Sequence, residues 1–277
     1  MTSWLRPVNA GSRSVKRSGL QRLLLVGAAA LVVLIPQGSA PWGAPMSSPD
    51  VTPTASHVIH IWPLSATSTG SAVVANDFES IFRKQAPELV NSGWSPCSGP
   101  ITWSLDPREL TAAQAEIQVR SAKWALDQWA RESGLAFAYV GEVAVNYNDT
   151  TFQLVPADGS PVAARHIYLT FLGRGESTLL SDATLGFGAP STVAVSSREI
   201  TGGNAVFRTD YVKDPGRNPL RKLRSLYLHE LGHVLGLSHA ALSQNIMYPI
   251  VDRNVTLGAG DVSGIHAMTK TCDSKPA

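Results

Sequence analysis

The sequence predicts a domain of mixed α and β structure that begins near residue 95 and continues toward the end of the 277-residue chain. Several short apolar segments have the residue pattern of β-strands. Two longer stretches place apolar residues three and four positions apart, which is typical of amphipathic α-helices. Residues 96–272 together have the length of one domain.

The strand candidates begin with residues 101–105, where apolar side chains alternate around Thr102 and Ser104. The remaining candidates are residues 135–140, 166–171, 192–195 and 205–207. Gly202 and Gly203 predict a turn that joins the last two of these strands.

Two helices carry recognisable start and stop signals. Thr111 lies three residues before Gln114 and forms a capping box with it, and Gly134 ends the apolar stripe that follows. Asn218 and Pro219 supply the N-cap and first position of a second helix, which is predicted to run to about residue 235.

The second helix contains the residues that predict a metal site. His229 and His233 are four positions apart, so that both imidazoles project from one face of the helix. Glu230 is rotated by about 100° around the helix, which places a carboxylate beside the metal as a general base. Gly236 can adopt a positive φ, so the chain can turn there and return His239 as a third ligand. Three neutral imidazoles and one water form the open geometry of catalytic zinc.

The pattern H-E-x-x-H-x-x-G-x-x-H between residues 229 and 239 is the metzincin signature, and residues 246–249, Ile-Met-Tyr-Pro, match the Met-turn of that clan. Within the clan this region most resembles the matrixins, the family of the matrix metalloproteases. The resemblance extends to residues 257–268, which look like the matrixin C-terminal helix. It implies an α+β fold of the metzincin type, with a twisted, mostly parallel sheet and two long helices.

The resemblance also implies roles for particular residues. In matrixins the reaction is hydrolysis of a peptide bond by a zinc-bound water, which Glu230 would activate. Met247 would form an apolar floor under the metal. Residues 185–190, including Gly186 and Phe187, are similar to the edge segment that pairs with an extended substrate. Tyr248 and Pro249 would form one wall of the pocket for the residue after the cleaved bond. A glycine-rich turn before a buried strand is the alternative interpretation of residues 185–190.

Other metal sites receive less support. In matrixins the loop after the third strand holds a structural zinc between histidines, but residues 174–182 contain no histidine, so we predict one zinc ion. His166 is interpreted as an ordinary strand residue and His266 as a structural one. Calcium is common in the family and therefore possible, although no loop here is dense in carboxylates.

The chain has two cysteines, Cys97 and Cys272, at the two ends of the predicted domain. In an exported protein they most simply form one disulfide. The alternative is that Cys97 blocks the zinc as in the cysteine switch of vertebrate matrixins. The residues around Cys97 lack the Arg and Asp of that switch, and Cys272 would then have no partner.

Export is predicted from residues 1–40. Five basic and no acidic residues precede or adjoin an apolar run of 13 residues at 23–35, which is typical of a signal peptide. An uncleaved signal anchor is the alternative. Cleavage would leave 18 basic and 21 acidic residues, a balance that gives no indication of nucleic acid as a partner. Residues 41–94 are predicted to form a Pro, Ser and Thr-rich linker followed by a short packing extension with one helix, or alternatively an inhibitory pro-segment.

The sequence therefore predicts a secreted, monomeric, zinc-dependent endopeptidase that acts on peptides or proteins. One alternative is an exported zinc-containing module, associated with a peptide or with the cell wall, that binds without turnover. Another is a zinc hydrolase of a non-peptide amide.

Overall fold

The computed structural model describes residues 23–25, 76–84, 86–251 and 254–272. The other residues of the predicted signal segment and the linker up to residue 75 lie outside this part of the chain. None of the helices in the described residues has both the length and the apolar character needed to cross a bilayer.

A six-stranded sheet with the order β1-β7-β8-β6-β2-β3 forms the centre of the domain. The strands β8, β6, β2 and β3 are parallel, whereas β7 is antiparallel to β8 and β1 is antiparallel to β7. Strands β4 and β5 form a separate antiparallel pair. The strands are Leu23–Leu25 (β1), Ile101–Leu105 (β2), Phe137–Glu142 (β3), Val145–Asn148 (β4), Gln153–Pro156 (β5), His166–Leu172 (β6), Gly186–Ala194 (β7) and Glu199–Arg208 (β8).

Two long helices pack on one face of the sheet. The helices are Ala112–Ser133 (α1), Thr209–Lys213 (α2), Pro219–Val234 (α3) and Ala259–Met268 (α4). Trp103 and Ile167 of the sheet share the main hydrophobic core with Trp129 of α1 and Leu231 of α3. A second, smaller cluster on the other face joins the sheet to the β4–β5 pair. The predicted α+β fold, with a mostly parallel sheet and two long helices, is confirmed.

The local signals in the sequence correspond to real helix ends. Thr111 accepts a hydrogen bond from the backbone N–H of Gln114, whose side chain accepts one from the Thr111 N–H. Gly134 ends α1 with φ 70°. Helix α3 begins at Pro219 as predicted, but Asn218 has φ 58° and its side chain makes no capping hydrogen bond.

The turn predicted at Gly202 and Gly203 is wrong, because both residues lie inside strand β8 and the connection from β7 falls at residues 195–198. The reason is packing. A Cβ atom at Gly203 would collide with a methyl group of Val234 on α3, and one at Gly202 would lie 2.5 Å from the Thr192 hydroxyl. These glycines permit close approach of neighbouring elements and do not serve a turn.

The prediction of one helix in the packing extension that follows the linker is also wrong. The described part of this extension forms turns and a short 3-10 helix at Pro87–Leu89. Its backbone is used in pairing with other segments, as in the bridge between Ser80 and Leu237. The apolar residues Ile81, Phe82 and Leu89 are nevertheless buried in the main core, in agreement with the predicted packing extension.

A disulfide joins Cys97 to Cys272 and closes a loop with a sequence separation of 175 residues. The predicted pairing is present, and it links the turn just before β2 to the end of the described chain. Because neither cysteine is free, the structure does not support Cys97 as a metal ligand.

Replacing both cysteines by serine should lower the free energy of unfolding by on the order of 4–5 kcal/mol, because so long a loop restricts the unfolded chain strongly. Urea unfolding of the zinc-loaded variant and of the oxidised wild-type protein would measure the difference. Chemically reduced wild-type protein is the control and should behave as the double variant does. A change below about 1 kcal/mol would contradict the prediction.

His166 is buried in β6, as expected of an ordinary strand residue. Its ring nitrogens form hydrogen bonds of 2.8 Å with the hydroxyl groups of Thr102 and Ser104. Burial lowers the pKa of His166 to about 4 from its ordinary value of 6.5. The imidazole is therefore neutral in the folded protein at neutral pH.

This pKa predicts acid sensitivity. Between pH 6.5 and about 4 the unfolded state protonates His166 and the folded state does not, so stability should fall as the pH falls, by up to about 1.4 kcal/mol per pH unit. The measurement is the pH dependence of unfolding for the wild-type protein and for His166→Gln, in which the zinc-site histidines are unchanged. Parallel curves for the two proteins would exclude His166 as the cause.

Candidate metal centre

Helix α3 and the turn that follows it bring three imidazoles to one point. His229 and His233 lie one helical turn apart, and their Nε2 atoms are 3.2 Å from each other. The helix ends at Val234, and Gly236 has φ 108°, so the chain reverses as the sequence predicted. The Nε2 atom of His239 then lies 3.2 Å from each of the other two.

This geometry fits zinc. Tetrahedral bonds of about 2.0–2.1 Å from one zinc ion would place the ligand nitrogens about 3.3 Å apart, close to the observed separations of 3.2 Å. Among the described residues, these histidines form the only group of three or more His, Cys, Asp or Glu side chains that could hold one ion. Three histidine nitrogens are also one of the ligand sets that bind catalytic zinc in proteins.

The protonation state of the three histidines suits metal binding. Burial, together with the neighbouring His233, lowers the pKa of His229 to about 3 despite a hydrogen bond to the Ile246 carbonyl. Burial also lowers the pKa of His233 to about 4 and that of His239 well below its ordinary value. All three imidazoles are therefore neutral at neutral pH, which is the form that binds a metal ion.

Backbone carbonyl groups orient two of the three rings. The Nδ1 atom of His229 is 2.7 Å from the carbonyl oxygen of Ile246, and that of His233 is 2.8 Å from the carbonyl oxygen of Leu237. These bonds place the ring proton on Nδ1 and leave Nε2 free for a metal. The Nδ1 atom of His239 is buried and has no such partner among the described residues.

Met247 packs against α3 at Gly232, which lies between His229 and His233 in the chain. A Cβ atom at Gly232 would collide with the Met247 sulfur and would lie 2.9 Å from the Trp129 ring. The turn that carries Met247 is held by Asp261 of α4, whose carboxylate accepts hydrogen bonds from the backbone N–H groups of Ile246 at 2.6 Å and Met247 at 3.1 Å. Burial raises the pKa of Asp261 to about 6, although these backbone hydrogen bonds oppose the shift.

Glu230 lies between α3 and strand β7 and is 2% exposed. Burial raises its pKa to about 8. A Cβ atom at Gly186 would lie 3.3 Å from the Glu230 carboxylate, and one at Gly188 would collide with the Glu230 carbonyl oxygen. The two glycines therefore allow the strand to approach the helix, with the carboxylate directly below the strand.

The start of β7 has a free edge in the described structure. Strand β8 pairs with β7 along its whole length, whereas on the opposite side β1 pairs only with residues 192–194. The alternative interpretation of residues 185–190 as a glycine-rich turn is therefore wrong. Phe187 packs against Tyr147, with 5.9 Å between the centroids of the two rings.

The two residues proposed for the substrate pocket lie in the Met247 turn. Tyr248 and Pro249 directly follow Met247, and Tyr248 is half-buried whereas Pro249 is buried.

Comparison with known proteins agrees with this arrangement. The family model described as Matrixin matches residues 93–269, which include all three histidines and Met247. This chain belongs to the matrixin family. Two proteins of Arabidopsis thaliana are similar over 46 residues: Metalloendoproteinase 5-MMP at 44% identity and Metalloendoproteinase 2-MMP at 46%. The similar stretch is 16% of this matrixin and only 13% and 12% of those two proteins.

The extension that precedes the matrixin match contacts the loop of the third histidine. The Asp77 carboxylate accepts hydrogen bonds from the backbone N–H groups of Ala241 at 2.9 Å and Leu242 at 2.7 Å. The Ser238 N–H donates to the Glu79 carbonyl oxygen at 2.7 Å. These contacts lie on both sides of His239 in the chain. Sequence reasoning found only the apolar pattern of this extension and missed the role of Asp77, for which the residues nearby carry no signal.

Asp77→Asn should lower the zinc affinity of this matrixin about tenfold, because loss of outer-shell hydrogen bonds loosens a metal ligand. The measurement is competition for zinc with a chromogenic chelator. Glu79→Gln is the matched control, since that change leaves the backbone contact to Ser238 in place. An unchanged affinity in Asp77→Asn would show that the loop is rigid without the carboxylate.

Proposed function

We propose that this matrixin is a secreted endopeptidase that uses zinc bound by His229, His233 and His239. The observation that carries the proposal is the convergence of three neutral imidazoles on the helix and turn that also carry a buried carboxylate. The adjacent edge of β7 at residues 186–191 has no strand partner among the described residues. Zinc held by the three imidazoles supplies Lewis acidity, which polarises a substrate carbonyl group and acidifies a water molecule.

Glu230 is the general base of the proposed reaction. Its carboxylate accepts a proton from the attacking water and later delivers it to the nitrogen of the leaving amine. The position of Glu230 supports this role, because its buried carboxylate directly follows the ligand His229 on α3. No covalent intermediate with the protein is required.

The edge of β7 at residues 186–190 is the proposed binding site for the substrate backbone. An extended peptide that pairs with this edge gains main-chain hydrogen bonds, and its alternate side chains face the protein. Phe187 belongs to this edge, and Tyr248 with Pro249 is proposed as one wall of the pocket after the scissile bond. The Glu230 carboxylate lies against Gly186, where an added Cβ atom would be 3.3 Å from its oxygen. This closeness of the base to the strand supports cleavage of a peptide that pairs with the strand.

Secretion is proposed from the basic and apolar pattern of residues 1–40. The disulfide between Cys97 and Cys272 supports it, because such bonds persist in oxidising compartments. One chain holds a complete set of the proposed catalytic groups, so the proposal requires no second subunit.

The Glu230 base can be tested by Glu230→Gln, which keeps the size of the side chain and removes the proton acceptor. The zinc-loaded, oxidised variant should retain one zinc per chain and lose on the order of 10³-fold in kcat/KM toward a cleavable peptide from a mixed library. Glu132→Gln, an exposed glutamate on α1, is the control and should cleave normally. His239→Ala should instead lose the metal.

Two results would overturn the proposal. Normal proteolysis by zinc-loaded Glu230→Gln would exclude the assigned base. Wild-type protein that retains peptides on its zinc site without cutting any of them would identify a binding module.

A further inference from the structure

The loop that leads into strand β7 is organised around a buried arginine. Arg208 lies at the end of β8 and its side chain is 2% exposed. Its Nη1 atom donates to the backbone carbonyl oxygens of Ser181 at 2.9 Å, Asp182 at 3.2 Å and Thr184 at 3.3 Å. Three carbonyl groups of one short segment therefore face the same cationic nitrogen.

Further contacts fix both the arginine and the loop. The Nε atom of Arg208 donates to Asp210 at 2.7 Å. Arg174 forms ion pairs with Asp182 and with Asp210, the latter at 2.9 Å. The backbone N–H of Arg208 donates to the Leu185 carbonyl oxygen at 2.8 Å, immediately before Gly186. The end of the loop is thus held by both the side chain and the backbone of Arg208.

The family would suggest a metal ion here, and the residues do not fit one. Structural zinc requires histidine or cysteine ligands, and residues 173–185 contain neither. Calcium takes backbone carbonyl and carboxylate oxygens, which is the type of group that faces Arg208. In this chain the guanidinium already occupies the centre of that group, and a second cation beside it would be repelled.

We propose that Arg208 is the permanent cation of this loop: it holds residues 181–185 in place of a bound metal ion and so positions the Gly186 end of strand β7 above Glu230. Arg208 is a positioning residue in this proposal, since it acts through the loop and the strand. Its effect on catalysis rests on the proposed endopeptidase function, whereas its effect on the loop does not.

Hydrogen exchange of the full, zinc-loaded chain tests the proposal without reference to activity. In Arg208→Ala the amides of residues 181–191 should exchange on the order of tenfold faster, because three carbonyl groups of the loop lose their shared donor and Asp210 loses one of its two arginine partners. Millimolar methylguanidinium should restore the protection by entering the space that the side chain leaves. Zinc content should stay at one ion per chain.

Arg165→Ala is the matched control. Arg165 has a 15% exposed side chain, pairs with Glu199 at 2.5 Å and donates to the carbonyl oxygens of Ser95 and Gly99. It precedes β6 and lies at the opposite end of the parallel strands from Arg208. Its loss should leave exchange at residues 181–191 unchanged. Equal exchange at these residues in the two variants, or no response of Arg208→Ala to methylguanidinium, would overturn the proposal.

Two further measurements complete the test. If Arg208→Ala does not fold, Arg208→Gln, which is neutral and of similar length, must show the faster exchange for the proposal to stand. Calcium chloride at about 10 mM, above the dissociation constants of extracellular calcium modules, should leave the wild-type Tm unchanged. A rise in Tm together with stronger protection of residues 181–191 would show that calcium binds the loop, and would overturn the proposal.

Loss of the Arg208 side chain should also affect the kinetics, through a rise in KM. Once a peptide substrate is identified, Arg208→Ala should raise KM on the order of tenfold with a smaller change in kcat, since the strand edge and not the base is displaced. A wild-type protein that cleaves no peptide would overturn the proposed function while the exchange result for Arg208 would still stand.

Discussion

The close approach of helix α3 to its neighbours is the constraint on which the rest of the structure depends. On one side a side chain at Gly188 would collide with the backbone of Glu230, and on the other a side chain at Gly232 would collide with Met247. The helix is therefore confined between strand β7 and the Met247 turn. Because His229 and His233 lie on this confined helix, their nitrogens can be kept 3.2 Å apart, although burying adjacent imidazoles without a metal ion leaves polar atoms poorly satisfied.

The third histidine is held differently from the first two. His229 and His233 gain their orientation from the helix and from carbonyl groups that accept their Nδ1 protons, whereas His239 has neither among the residues that the structure describes. Its position depends on the backbone around it, where the Ala240 N–H donates to the Met247 carbonyl oxygen at 2.9 Å and the Ala241 N–H donates to Asp77. The candidate metal centre thus extends beyond the matrixin match into the preceding extension.

The features that could be predicted from the sequence are those whose causes lie within a few residues. The capping box at Thr111, the two histidines on one helical turn and the reversal at Gly236 are local, and the structure has each of them. The errors concern long-range contacts. Gly203 was predicted to form a turn because the reason for a glycine there is not local. Val234, whose side chain occupies the space that a Cβ atom of residue 203 would need, is 31 positions away. The role of Arg208 could not be predicted from the sequence. The carbonyl groups that accept its hydrogen bonds belong to residues 24 to 27 positions earlier in the chain.

The buried charges of this domain show where its geometry matters most. Removing a charge from water is costly, and even a well-paired buried ion adds little net stability compared with an apolar replacement. Arg208 and Asp261 are both nearly inaccessible to solvent, and each forms several hydrogen bonds to backbone groups of a neighbouring loop. Such ions fix the course of the backbone, because a loop that moved would leave a buried charge unpaired. One of them fixes the loop before β7 and the other fixes the Met247 turn, so both act on the elements between which α3 is confined.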